Sequence, residues 1–146
     1  MNDEPVLRAD AQKNRELILS AAEALFLEKG AGVPLEDVAK RAGVGIGTLY
    51  RRFPTREALL AATSNERFLS LAAKSFARVP ALDPGEALRA YLEELARYTS
   101  TYQSLAASIG TVLQCGTPGC NAITAEGLRL LERGQAAGAI RPDVTF

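Results

Sequence analysis

An all-α fold is what this sequence predicts, on three observations. Alanine, leucine and arginine dominate a chain of 146 residues in which aromatics make up only 6%, a composition that favours helices over strands. Apolar residues recur at intervals of three and four along most of the chain, the spacing of one helix face. No segment combines alternating polarity with β-branched residues, so no strand is expected.

The helices follow in order. The opening MNDEPVLRADAQ is acidic and polar, unlike a signal peptide, and Arg8 falls in this tail. A first helix is expected from about Ala9 to Lys29, with Leu17, Ile18, Ala21, Ala22, Leu25 and Phe26 on one stripe and Gly30 and Gly32 ending it. A short helix over Leu35–Arg41 has Pro34 in its first turn and an apolar face of Leu35, Val38, Ala39 and Ala42. Gly43 breaks it. A second short helix, about Ile46 to Phe53, carries Leu49 and Phe53 on an i, i+4 face, and Pro54 stops it. Thr55 then reads as the N-cap of a long helix to about Arg78, closed by Val79-Pro80.

Asp83-Pro84-Gly85-Glu86 reads as a helix start, with Asp at N-cap and Glu at N3. Leu88, Leu92, Leu95 and Thr99 supply its stripe to about Thr101. A further helix is expected from about Gln103 to Leu113, the CGTPG segment reads as a turn, and a last helix runs from about Asn121 to Ala137. Ile123, Gly127, Leu130, Leu131 and Gly134 share one face of it, and Gly138 ends it.

Composition excludes several kinds of chemistry. The chain holds no histidine, so Ser-His-Asp, Cys-His and HExxH arrangements are out. Glu93 and Glu94 are adjacent and point apart on a helix, which leaves no paired carboxylates for acid–base work. Cys115 and Cys120, in QCGTPGCNA, are too few for a zinc site and read as reduced thiols beside an interhelical loop, with a redox disulfide as the alternative. No enzyme, metal or cofactor is expected. No apolar run reaches the length of about 18–20 residues that spans a bilayer, so a cytoplasmic protein without membrane contact is expected.

The charge pattern points elsewhere. Formal net charge is zero, yet the stretch from Val38 to Arg56 holds five basic residues (Lys40, Arg41, Arg51, Arg52, Arg56) and no acidic one. A local basic stripe on a neutral chain suits a small docking surface for phosphates. Two short helices joined at Gly43 form a helix-turn-helix if they cross steeply. Ala39 is small where they must approach, Gly43 suits a turn with positive φ, and Val44 and Leu49 anchor the second helix. In a DNA-reading unit of this kind the start of the second helix enters the major groove. Gly45 and Gly47 leave that turn bare of side chains, so backbone can approach phosphates or base edges closely. Thr48 can bond a base edge or touch a thymine methyl, and Tyr50, Arg51, Arg52 and Arg56 can contact phosphates. Taken singly these residues have ordinary readings, as turn glycines, a rim tyrosine and a solvated basic face. Their conjunction favours double-stranded DNA as the partner.

The segment LEDVAKRAGVGIGTLYRRFPTREALLAA closely resembles the helix-turn-helix signature of the TetR/AcrR family of transcriptional repressors, and RADAQKNRELILSAAEALFLEKG resembles that family's first helix. The likeness covers about residues 8–62. It implies a DNA-binding domain over 1–54 and a helical effector-binding and dimerisation domain over 55–146. It places Tyr50 and Arg56 at phosphate-contacting positions and Gly45, Ile46, Gly47 and Thr48 in the turn that meets the bases. The chain departs from the family's pattern at Pro34, where a capping Thr is common, and at Gly45-Ile46, where a polar pair is usual; Ile46 is then suited to a thymine methyl. The resemblance further implies a homodimer on a pseudo-palindromic operator, released when an unidentified small molecule fills a cavity among the later helices; a helical protein-interaction module without DNA binding and a constitutive DNA-binding regulator without effector are the alternatives. Phe68, Tyr91, Leu95, Tyr98, Tyr102, Ile109 and Leu113 are the expected pocket lining, with core packing as the alternative for each. Because family members usually continue into two further helices, the sequence reads as a chain truncated at its C-terminus.

Overall fold

The computed structural model describes residues 4–102 and 104–146, with side chains from Val6 onward. Among the described residues seven α-helices follow one another: α1 (Glu4–Lys29), α2 (Leu35–Ala42), α3 (Ile46–Arg52), α4 (Arg56–Arg78), α5 (Pro84–Thr99), α6 (Leu105–Leu113) and α7 (Pro118–Ala136), with a 3-10 turn at Val79–Ala81 between α4 and α5. No strand occurs among the described residues, and the fold is all-α as expected.

Local chemistry accounts for most boundaries. Gly30 closes α1 with φ 93° and Gly43 closes α2 with φ 73°, left-handed conformations that glycine adopts without steric cost. The Thr55 hydroxyl oxygen accepts from the Ala58 N–H at 3.1 Å and starts α4. Three boundaries differ from expectation. Helix α1 reaches back to Glu4, so Arg8 lies in a helix rather than a tail. Helix α7 starts at Pro118, not Asn121, because Thr117 caps it by accepting from the Cys120 N–H at 3.1 Å and Pro118 fills the first position, where its missing N–H costs nothing. Helix α6 begins at Leu105; the expected start at Gln103 lies outside the described residues.

Two faces also differ. On α5 the buried residues are Ala87, Tyr91, Tyr98 and Thr99, while Leu92 is 44% exposed. The Tyr91 ring hides more apolar area than a leucine, and its hydroxyl donates to the Ile123 carbonyl of α7, which rotates the buried face off the leucine stripe. Leu17 is 41% exposed beside fully buried Ile18.

Helix α4 is the spine. It packs against α1, α5 and α6, and most extensively against α7. Gly119 lets α7 approach: its N–H donates to Asn65 Oδ1 at 2.7 Å, and a methyl there would lie 2.5 Å from the Asn65 carbonyl oxygen. Further along, buried Glu126 accepts from Ser75 Oγ at 2.9 Å and pairs with Arg129, so its desolvated charge is compensated. One contiguous apolar core runs from Ile18 and Phe26 through Leu49 and Phe68 to Leu130. An aromatic chain runs through part of it: Phe26 meets Tyr102 (6.0 Å between ring centroids), Tyr102 meets Tyr98 (6.0 Å) and Tyr98 meets Phe68 (5.3 Å). After α7 the chain folds back, with Ile140 over Gly134 and Phe146 over Gly127. No helix among the described residues is long and apolar enough to cross a membrane.

Candidate nucleic-acid interface

The site is built on the turn between α2 and α3. At the end of α2 the Val44 N–H donates to the Ala39 carbonyl at 3.0 Å and the Gly43 N–H to the Lys40 carbonyl at 3.2 Å, the paired bonds of a Schellman turn. A side chain at Gly43 would meet nothing within 4 Å, so the positive φ alone requires glycine here. Gly45 then caps α3 in extended backbone, φ −70° and ψ 151°, and its carbonyl accepts from the Leu49 N–H at 3.1 Å. Leu49 is fully buried and Phe53 nearly so. These two anchor one side of α3 in the core under α1, where the Arg15 guanidinium lies 5.8 Å from the Phe53 ring centroid.

Anchoring that side leaves the other in solvent. Gly45, Ile46, Gly47, Tyr50, Arg51 and Arg52 are exposed and Thr48 is half-buried. Ile46 and Tyr50 are 38% and 42% exposed, large apolar areas for a seven-residue helix to leave in water. Arg51 Nη2 donates to Thr48 Oγ1 at 3.2 Å. At Gly45 an added methyl meets nothing within 4 Å, and at Gly47 only Arg51 Nη1 at 3.9 Å. The fold therefore does not require either glycine for space, and neither has a positive φ.

The basic stripe is thinner than its sequence count. Arg41 donates from Nη1 and Nη2 to the two carboxylate oxygens of Glu28, at 3.0 and 3.2 Å, bracing α2 on α1. That hydrogen-bonded partner holds the Glu28 carboxyl below its ordinary range and raises Arg41. Arg56 Nη1 donates to the carbonyls of Ala31 and Val33, tying the start of α4 to the turn before α2. Both arginines brace the unit, a role that sequence reasoning misses because their partners lie 13 and 25 residues away. Lys40, Arg51 and Arg52 remain exposed.

The residues expected to line the effector pocket divide between the core and the grooves beside it. Phe68, Tyr91 and Tyr102 are core residues, and Leu95, Ile109 and Leu113 are half-buried against that core. The buried phenols find partners within the protein, Tyr91 at the Ile123 carbonyl and Tyr98 at Ser64 Oγ (2.7 Å). Burial raises the pKa of Tyr91, Tyr98 and Tyr102. Tyr98 borders a groove of about 270 Å3 between α4 and α5, whereas Leu113 borders a separate one between α6 and α7. Both cysteines are free thiols, Cys120 buried and Cys115 exposed.

Two short helices crossing at a Schellman turn, the second anchored on one side and bare on the other, define a helix-turn-helix protein. Residues 18–63 match the model for bacterial regulatory proteins of the TetR family, and residues 83–146 match the model for the C-terminal domain of SbtR-like transcriptional regulators. The chain belongs to the TetR family of transcriptional regulators, which are non-enzymatic DNA-binding proteins. A curated relative, an HTH-type transcriptional regulator of Staphylococcus aureus (strain MRSA252), is 40% identical over 63 residues, 41% of this chain and 32% of that one. The matched part thus spans about a third of the curated relatives' length. Among solved structures, a TetR regulatory protein from Mycobacterium vanbaalenii is 37% identical, with 94% of this chain and 85% of that chain covered and a TM-score of 0.48. RolR in complex with the ligand resorcinol is 22% identical over 94% of this chain and 71% of that chain, with a TM-score of 0.67, and shares the fold.

Proposed function

We propose that this chain is a cytoplasmic, ligand-responsive repressor that binds a pseudo-palindromic DNA operator as a homodimer. Residues 1–54 act as the reading head and residues 55–146 as the effector-binding and dimerisation domain. The observation that carries the reading is α3 itself: Leu49 and Phe53 are buried, while Ile46, Tyr50, Arg51 and Arg52 stand exposed around two glycines that the fold does not need. Gly45 and Gly47 let the backbone approach the base edges, Ile46 and Thr48 meet them, and Tyr50, Arg51 and Arg52 hold phosphates. Arg56 keeps α2 in register and reaches phosphate only through the nitrogens that do not bind the Ala31 and Val33 carbonyls.

Regulation needs only a differential preference. A ligand that favours the non-binding conformation a hundredfold, about 2.7 kcal/mol, relieves repression substantially. Selection of random duplex DNA by the full chain, repeated with Tyr50→Ala, tests the reading. A pseudo-palindrome enriched by the wild type and lost in the variant is the expected result. No enrichment from a preparation shown to be dimeric overturns it.

A further inference from the structure

Helices α4 and α5 run past one another after the corner at Val79–Ala81, and the faces they turn together carry an unusual set of side chains. On α4, Arg67, Ser70 and Lys74 recur at three- and four-residue spacing; facing them are Arg97 in the last turn of α5 and Thr101 in the turn just after it. These rows form the walls of the groove of about 270 Å3. Its floor is apolar and fixed. Leu71 and Tyr98 are buried, and because the Tyr98 hydroxyl is engaged by Ser64, the groove meets the ring rather than the hydroxyl.

Among the described residues the cations of the walls have no ion-pair partner. Glu94 is the sole carboxylate among the lining residues, and Arg78 already pairs with it at the corner end. Arg78 still keeps Nη2 buried without an acceptor, so that end has an excess of donors. Among the described residues no ion pair engages Lys74 or Arg97, and Glu93, four residues before Arg97, pairs with Arg89 instead. The Arg67 guanidinium rests 5.9 Å from the Tyr98 ring centroid. Three lining cations, Arg67, Lys74 and Arg97, thus share the groove with one carboxylate that Arg78 already engages, and two hydroxyls lie between them. Held cations of one sign repel, and an anion with planar oxygens relieves the repulsion while satisfying guanidinium forks two bonds at a time.

We propose that the α4–α5 groove binds a small organic anion, its carboxylate or phosphate head on Arg67, Lys74 and Arg97 and its apolar body on Leu71 and Tyr98. The volume lies at the small end for ligand sites, which suits a single ring or a short acyl chain. Its regulatory meaning rests on the repressor reading above: α4 carries the reading head at its first turn, so an anion that draws the α4 and α5 rows together acts on the helix that positions α3. Binding as such does not depend on that reading.

The test is a calorimetric titration of the full chain at low ionic strength, where exposed charges are least screened. Benzoate, octanoate and phenyl phosphate are the probes, with benzamide as the uncharged control. Saturable binding of at least one anion with Kd below about 1 mM, none of benzamide, and at least tenfold weakening in a Lys74→Gln/Arg97→Gln double variant of unchanged helicity are expected. Absence of saturable binding by all three anions, equal affinity for benzamide, or an indifferent double variant overturns the site. Fluorescence anisotropy with the selected operator separates this from the repressor reading. Operator release by the bound anion, lost in the double variant, supports both. Operator retained with the anion bound leaves the site standing and removes its effector role. Release that the double variant shows equally overturns the groove and leaves the repressor reading intact.

Discussion

Helices α3 and α5 each bury one face, and they choose it on different grounds. In α3 two apolar residues four apart go inward and every other side chain is left at or near solvent, although Ile46 and Tyr50 have the area to join the core. In α5 polar atoms go inward too: Tyr91 and Tyr98 are buried because Ile123 and Ser64 satisfy their hydroxyls. The reading head therefore commits as few side chains as it can to its own packing and keeps groups free for a partner. The helical body turns its tyrosines to its own cohesion and leaves Lys74 and Arg97 along the α4–α5 groove without an ion pair among the described residues. A helix that keeps large side chains in water without internal partners is a stronger sign of function than a buried aromatic row, which packing alone explains.

The largest expected effect that would sharpen this contrast is alkaline unfolding. Tyr91, Tyr98 and Tyr102 hold their protons in the folded chain beyond the ordinary phenol range because burial disfavours the phenolate. Their contribution is fully present below the unfolded pKa of about 10 and is lost as pH rises above it, since the unfolded chain then binds fewer protons. A single such tyrosine withdraws up to about 1.4 kcal/mol per pH unit in that window. Far-UV circular dichroism between pH 8 and about 12 is expected to show cooperative unfolding above pH 10, moved upward by Tyr91→Phe. A helix signal unchanged through that range would mean that the body's tyrosines are not the cohesive elements described here.

How much of this can be read from the residues follows the same division. The head is legible because its constraints are local: Gly43 for a positive φ, Leu49 and Phe53 four apart, Thr55 as a cap with its partner three residues on. Much of the body is not, because its decisive partners are distant. Nothing near Tyr91 in sequence announces the Ile123 carbonyl 32 residues away, so periodicity selects the leucine stripe of α5, of which Thr99 is buried, Leu88 and Leu95 are half-buried against the core and Leu92 is exposed. The start of α7 is present as Thr117-Pro118, the cap and first-position pair, but the flanking glycines make the segment read as a turn. Within the head the braces made by Arg41 and Arg56 are not legible, because they too depend on distant carboxylate and carbonyl oxygens.

Two glycines test whether the regions are constrained differently. At Gly119 the limit is space, since a methyl would lie 2.5 Å from the Asn65 carbonyl oxygen and α4 and α7 would have to separate. Gly119→Ala is expected to cost about 1–3 kcal/mol. At Gly43 there is room and the limit is φ, so Gly43→Ala is expected to cost about 1–2 kcal/mol. Urea denaturation gives both values. The discriminating observation is the pair Gly43→Asn and Gly119→Asn. Asparagine tolerates the left-handed region, so it recovers part of alanine's loss at the first position, whereas its larger side chain is worse than alanine at the second. Recovery at both positions would mean that α7 is held by backbone freedom and not by close approach.

The smallest effect on stability is the most telling for function. Gly47 sits in the first turn of α3, in helical backbone, where an added methyl meets nothing nearer than Arg51 Nη1 at 3.9 Å. Alanine is the better helix former, so Gly47→Ala is expected to stabilise the chain, by up to about 0.5–1 kcal/mol. On the reading that backbone at this turn approaches base edges, the same methyl stands between protein and DNA and weakens operator affinity tenfold or more. Stability and affinity then move in opposite directions in one variant, which no loss of folding can imitate. The urea midpoint at unchanged slope and operator titration by anisotropy measure the two. An unchanged affinity would remove Gly47 from the interface and leave its presence in α3, where the fold has no use for it, without a physical reason.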